Sequence, residues 1–158
     1  MSDTNGPVSR RQFCAGACQL ASCATLATLA SACGGEGSPT SPSGGTSTLP
    51  VLTGQFANSR VQVTTTGTAL ANVDGAALVE SIAGVFLIAR TSGNAFQAVD
   101  AICTHEGCRV TSADGAVYVC PCHGSRYNRN GQVVQGPARA SLRQYTTSFA
   151  NDQLTITV

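Results

Sequence analysis

"GVFLIARTSGNAFQAVDAIC", residues 84–103, gives the clearest statement about the fold. Residues 84–90 are a continuous apolar run of buried-strand length, and "TSGN" at 91–94 ends it with turn-forming residues. "AFQAVDAIC" at 95–103 resumes the strand habit, so the stretch predicts two strands with a turn between them. Outward from it, "RVQVTTT" (60–66) alternates apolar and polar residues. "GAVYVC" (115–120), "GQVVQG" (131–136) and the terminal "QLTITV" (153–158) are further strand-length pieces. Nothing after residue 50 has a helical period. Six or more short strands in about 110 residues imply an all-β sandwich or barrel with a modest core.

The 158 residues are a single-domain length, and the folded unit is expected over 50–158. Charged side chains are scarce, lysine is absent and the formal net charge is +1, which gives no electrostatic case for nucleic acid. Residues 34–49, "GGEGSPTSPSGGTSTL", hold almost nothing able to pack and read as a flexible Gly/Ser/Pro-rich linker. Residues 1–33 read as an export signal: Arg10-Arg11 precede an uncharged, mildly apolar stretch from Phe13 to Ala32. "SRRQF" (9–13) resembles the twin-arginine signal, whose pathway carries folded proteins and so suits one that acquires a metal cofactor in the cytoplasm. "LASAC" (29–33) is similar to a bacterial lipoprotein signal, with Cys33 as the lipidation position, although Ala30 stands where a larger aliphatic residue is usual. The same "ASA" satisfies ordinary signal cleavage. Cys14, Cys18 and Cys23 read as small apolar fillers of this segment.

The remaining four cysteines and both histidines fall in "CTHEGC" (103–108) and "CPCHGS" (120–125). Cys103 with His105, and Cys120 with His123, make a set of two sulfurs and two nitrogens. Zinc accepts such a set tetrahedrally. So does an iron–sulfur cluster with two cysteines on one iron and two histidines on the other. Spacing leaves both open. Cys108 and Cys122, one in each motif, are surplus to a four-ligand site.

The pair of motifs strongly resembles the two boxes of Rieske [2Fe–2S] proteins, in particular the high-potential branch found in cytochrome bc complexes. The resemblance implies an antiparallel β-sandwich with a small cluster-binding subdomain of loops. It implies that Cys103 and Cys120 bind the inner iron, and His105 and His123 the outer iron. It implies a Cys108–Cys122 disulfide clamping the loops, which suits an exported protein in an oxidising compartment. Ser125 and Tyr127 match the family's donors of hydrogen bonds to a cluster sulfide and a cysteine ligand, bonds that raise the potential. Gly107 and Gly124 serve the loop backbone. "GPARAS" (136–141) resembles the proline-rich third loop, with Arg139 in place of the usual second proline. Glu106 stands where quinol-oxidising members carry leucine.

The expected function is therefore single-electron transfer by an exported, periplasmic protein held at the membrane through Cys33 or an uncleaved signal. Its partners would be an electron donor and an acceptor, such as a c-type cytochrome, or quinol. Two related readings place it as the iron–sulfur subunit of a quinol-oxidising cytochrome bc-type complex, or as the Rieske subunit of a periplasmic molybdenum oxidoreductase. No catalytic base or substrate pocket is legible. Arg109, Arg126, Arg129 and Arg139 outnumber the acidic residues in the loop region and suggest a mildly positive rim that would steer an acidic partner.

Overall fold

The computed structural model describes residues 45–158. The expected signal over 1–33, with Arg10-Arg11 and Cys33, and the expected linker up to residue 44 lie outside the described residues. The strands are β1 Ser47–Thr48, β2 Val51–Thr53, β3 Gln55–Ala57, β4 Arg60–Thr64, β5 Ala76–Ser81, β6 Gly84–Arg90 and β7 Phe96–Asp100. They continue as β8 Ser112–Asp114, β9 Val117–Val119, β10 Arg126–Tyr127, β11 Val133–Gln135, β12 Gln144–Ala150 and β13 Gln153–Thr157. One short 3₁₀ turn, Ala69–Ala71, is capped by Thr68, whose hydroxyl oxygen accepts from the Leu70 N–H.

Eight strands run in the order β2-β5-β6-β7-β12-β13-β4-β3. β12 turns the corner of this sheet: Gln144 and Tyr145 pair with β7, and Thr146–Ala150 pair with β13. At the other end only Gly54 separates β2 from β3, although the two strands stand at opposite ends of the order. The sheet therefore folds back on itself as a sandwich joined along both sides. Gly54 makes that second join possible, since a Cβ there would lie 2.4 Å from Val61 Cγ1 and 3.0 Å from Val79 Cγ1. Neighbouring strands are antiparallel, except that β2 runs parallel to β5. The β3–β4 and β12–β13 hairpins turn through Asn58-Ser59 and Asn151-Asp152, all four at positive φ, as two-residue hairpin loops favour.

β6 explains its own unbroken hydrophobicity. Phe86 and Ile88 face a core shared with Val61, Val63, Val79, Leu154 and Ile156, inside the sandwich. Leu87 and Ala89 face a second core with Leu78, Val99, Val110, Tyr118 and Tyr127. A strand buried on both faces has no place for alternation, and each large side chain so buried contributes about 1.5–3 kcal/mol. Arg90 closes the end of this strand. Its guanidinium lies over the touching Phe96 and Phe149 rings, 5.2 and 5.1 Å from their centroids, and donates to the Leu70 and Ala71 carbonyls.

The second core carries a smaller five-stranded sheet, β1-β8-β9-β10-β11. Here the folded part begins before Pro50. Ser47 and Thr48 pair with Ala113 and Ser112, and Leu49 is only 6% exposed. The end of a Ser/Thr-rich segment expected to be a linker is thus a paired edge strand followed by a core leucine. Among the described residues, no helix is long and apolar enough to cross a membrane.

Candidate metal centre

Two loops, one between β7 and β8 and the other between β9 and β10, share one backbone scaffold. In the first, the Cys103 N–H donates to the Cys108 carbonyl (2.8 Å), and the Gly107 N–H donates back to Cys103 (2.9 Å). In the second, the Cys120 N–H donates to Ser125 (2.8 Å), and the Gly124 N–H donates back to Cys120 (3.1 Å). Gly107 and Gly124 hold φ of +73° and +71°, which glycine adopts without penalty. Each loop therefore presents its first cysteine from the same position, while the histidine stands third in one loop and fourth in the other.

A Cys108–Cys122 disulfide, with an S–S distance of 2.09 Å, ties the loops together. Cys103 and Cys120 remain free thiols, 2% and 1% exposed. The imidazoles of His105 and His123 lie nearer the surface, with side chains 27% and 49% exposed and ring centroids 5.0 Å apart. Sulfur lies inside and nitrogen outside.

The thiols differ in acidity. Burial pushes Cys103 up. Hydrogen bonds from the Tyr127 hydroxyl, the His105 backbone and the Cys120 and Ser125 side chains outweigh it and bring Cys103 below the ordinary thiol range. Burial also pushes Cys120 up, and there it prevails over the backbone bonds from Cys122 and His123.

Tyr127 and Ser125 link the loops to a third, 136–141. The Tyr127 hydroxyl is 3.2 Å from Cys103 Sγ and accepts from the Thr104 N–H at 3.2 Å. The Thr104 hydroxyl donates to the Ala140 carbonyl at 2.6 Å. Ser125 Oγ accepts from the Ala138 N–H at 3.2 Å. Thr104 is a site residue the sequence reading did not single out, and its position between Cys103 and His105 was the available signal. Gly136 lies so close to the second loop that a Cβ would be 2.6 Å from Ser125 Cα and 2.9 Å from the Gly124 carbonyl oxygen.

The positive rim expected around the loops is mostly neutralised. Arg109 pairs with Glu80 and Arg126 with Asp114. Arg129 donates to the Gly115 carbonyl and covers the Tyr118 ring at 4.7 Å. Arg139 alone of the four is exposed and without a side-chain partner among the described residues.

The donors fit a metal group. His105 Nδ1 is buried with no hydrogen-bond partner, a cost that coordination would remove. Two free thiols buried beneath imidazoles, beside cysteines that have joined, are reserved for a soft metal. Together the β-sandwich, the mounted pair of loops and this donor set define a small metal-carrying electron-transfer domain. The chain belongs to the Rieske [2Fe–2S] domain family, whose model matches residues 55–146, and its cofactor is accordingly a [2Fe–2S] cluster. It is 39% identical over 71 residues to the cytochrome b6-f complex iron–sulfur subunit of Chlorobaculum thiosulfatiphilum, covering 44% of this chain and 39% of that one. It is 49% identical over 59 residues to the corresponding subunit of Prochlorococcus marinus strain NATL1A, covering 37% of this chain and 33% of that one. Thus the match spans only a third to two-fifths of those curated relatives. Among solved structures it is similar to the plasma membrane Rieske protein PetC3 of Synechocystis PCC 6803. That likeness has 28% identity and a TM-score of 0.49, covering 53% of this chain and 87% of that one.

Proposed function

We propose that this chain is an exported Rieske protein that carries single electrons between redox partners. In this reading Cys103 and Cys120 hold the inner iron, and His105 and His123 the outer one. The observation that carries it is the two-tier donor set, with free buried thiols beneath two surface imidazoles in loops tied by Cys108–Cys122. When bound, the cluster supplies one-electron chemistry at about −150 to +300 mV. The chain's own residues set the conditions. Tyr127 places its hydroxyl 3.2 Å from Cys103 Sγ, where it can donate to a sulfur whose charge grows on reduction. The third loop and the disulfide limit water access. The imidazole nitrogens facing solvent can hold or release a proton alongside the electron. Residues 1–33 would direct export by the twin-arginine route, with Cys33 or an uncleaved signal as membrane attachment and the Gly/Ser/Pro-rich residues before β1 as the tether.

A second reading, the iron–sulfur subunit of a quinol-oxidising cytochrome bc-type complex, is favoured by the b6-f subunits among its relatives and by the Tyr127–Cys103 contact.

The test is a set of alanine variants at Cys103, His105, Cys120 and His123, with Cys108→Ala for comparison, expressed with iron. Each of the four should lose the red-brown colour and the electron paramagnetic resonance signal, and Cys108→Ala should retain them at least initially. A variant at any of the four that keeps an unchanged spectrum removes that residue from the ligand set. Purified zinc protein without colour would overturn the reading. Redox titration across pH then separates the roles: a potential near the lower end of the range and independent of pH would remove the quinol reading. Fractionation of cells carrying Cys33→Ala tests the attachment.

A further inference from the structure

Two exposed side chains beside the imidazoles, Glu106 and Arg139, carry opposite charges. The Glu106 carboxylate is 59% exposed, with its oxygens 3.8 Å from His105 Nε2 and 3.5 Å from His123 Nδ1. On another side, His105 lines a cleft of about 560 Å³ with Thr104, Gly136, Pro137 and Arg139.

Of the residues that line the cleft, Arg139 alone carries a fixed charge. The Thr104 N–H and hydroxyl are already engaged with Tyr127 and Ala140. Arg139 has no side-chain partner among the described residues, whereas Arg109 pairs with Glu80, Arg126 with Asp114, and Arg129 donates to the Gly115 carbonyl. An unpaired guanidinium beside a cleft suits a carboxylate, which it can grip through two parallel N–H bonds. Glu106, also exposed, suits a cation. A neutral quinol would do neither. It would have to strip water from the Glu106 carboxylate without offering a compensating charge, and that is costly.

We propose that the imidazole tip docks a protein redox partner that presents a carboxylate to Arg139 and a cationic side chain to Glu106, and that the tip is closed to quinol. This rests on the electron-carrier reading above and names the chemistry of the partner.

The experiment uses the cluster-loaded protein, reduced and mixed by stopped flow with two oxidants of opposite charge. These are ferricyanide and tris(bipyridine)cobalt(III). Ionic strength is varied from about 0.01 M to 1 M, over which the screening length falls from about 30 Å to 3 Å. At low salt, Arg139→Ala should slow ferricyanide by about three- to ten-fold, and Glu106→Gln should slow the cobalt complex by a similar factor while speeding ferricyanide. At high salt the differences should vanish. Midpoint potentials measured in parallel separate driving force from docking. Effects equal for both oxidants, or surviving high salt, overturn the proposal. In a second arm decylubiquinol is the reductant of the oxidised protein. Slow reduction that Glu106→Leu accelerates is expected, and fast reduction of the unaltered protein overturns the exclusion of quinol. A protein with no redox signal removes the carrier reading itself, whereas a redox-active one with charge-blind rates removes only this proposal.

Discussion

Gly136→Ala should loosen the third loop far more than Gly107→Ala loosens the first, and the structure sets the size of the difference. Both glycines lie at positive φ, +99° and +73°. At Gly107 the added methyl meets nothing within 4 Å. The cost there is the left-handed conformation, about 1–2 kcal/mol, less the lost freedom of the unfolded chain, about 0.4–1 kcal/mol. A net penalty of about 1 kcal/mol follows. At Gly136 the methyl meets three backbone atoms of residues 124–125, including the Ser125 N at 3.0 Å, and neither loop can rotate a backbone atom out of the way. Overpacking adds about 1–3 kcal/mol, and a φ this far from the left-handed well raises the backbone cost within a range of about 1–3 kcal/mol. Less the same freedom of the unfolded chain, the sum is about 2–5 kcal/mol. Thermal bleaching of the loaded protein reads it directly. At about 4 °C per kcal/mol for a domain of this size, Gly107→Ala should melt about 4 °C lower and Gly136→Ala about 8–20 °C lower. If the two variants melt together, the third loop does not press on residues 124–125 and the reasoning fails.

Tyr127→Phe removes the hydroxyl beside Cys103 Sγ and leaves the Thr104 N–H without its acceptor. If that bond favours the reduced site by about 1 kcal/mol, the midpoint potential should fall by about 40 mV, taking 59 mV per tenfold change for one electron. An unchanged potential would show that the hydroxyl does not bond the ligand sulfur. Replacing Cys108 and Cys122 together by serine removes a cross-link between residues 14 apart in sequence, worth about 3 kcal/mol. The cluster should then bleach faster in chelator and at lower denaturant. Tyr118 is fully buried, its hydroxyl has no hydrogen-bond partner, and burial pushes its pKa up, opposed only in part by the Arg129 guanidinium. A raised value means the folded state keeps the proton longer. Its contribution is therefore complete below the unfolded value of about 10 and is lost as pH rises through the folded value. Denaturation followed above pH 10 should show this fall, Tyr118→Phe should flatten it, and the variant should be no less stable at pH 7.

Much of this was legible because the relevant signals are local. An apolar run buried on both faces, as in β6, announces itself in seven residues, and a cysteine–histidine box does so in six. What escaped depends on distant partners. Ser47–Leu49 resemble the linker before them, and only the Thr111–Ala113 segment makes them an edge strand and a core residue. Gly54 carries no signal of its own in the sequence, since its part in joining the two halves depends on Val61 and Val79. The arginines of the loop region look like a rim in sequence. Glu80, 29 positions before Arg109, and the carbonyl of Gly115 take up two of them. Thr104 was hidden between two louder neighbours, and its hydroxyl mattered only once the chain returned to Ala140.

The join through Gly54 also bears on how the protein behaves in company. An open sheet ends in rows of unpaired N–H and C=O groups, which recruit strands from other chains. Here the eight-stranded order starts and finishes in strands that are one residue apart along the chain, so no long strand is left at an edge. A carrier has to touch partners briefly and leave. With only three-residue strands at the ends of its largest sheet, the domain offers little template for strand exchange and meets other proteins chiefly through its side chains.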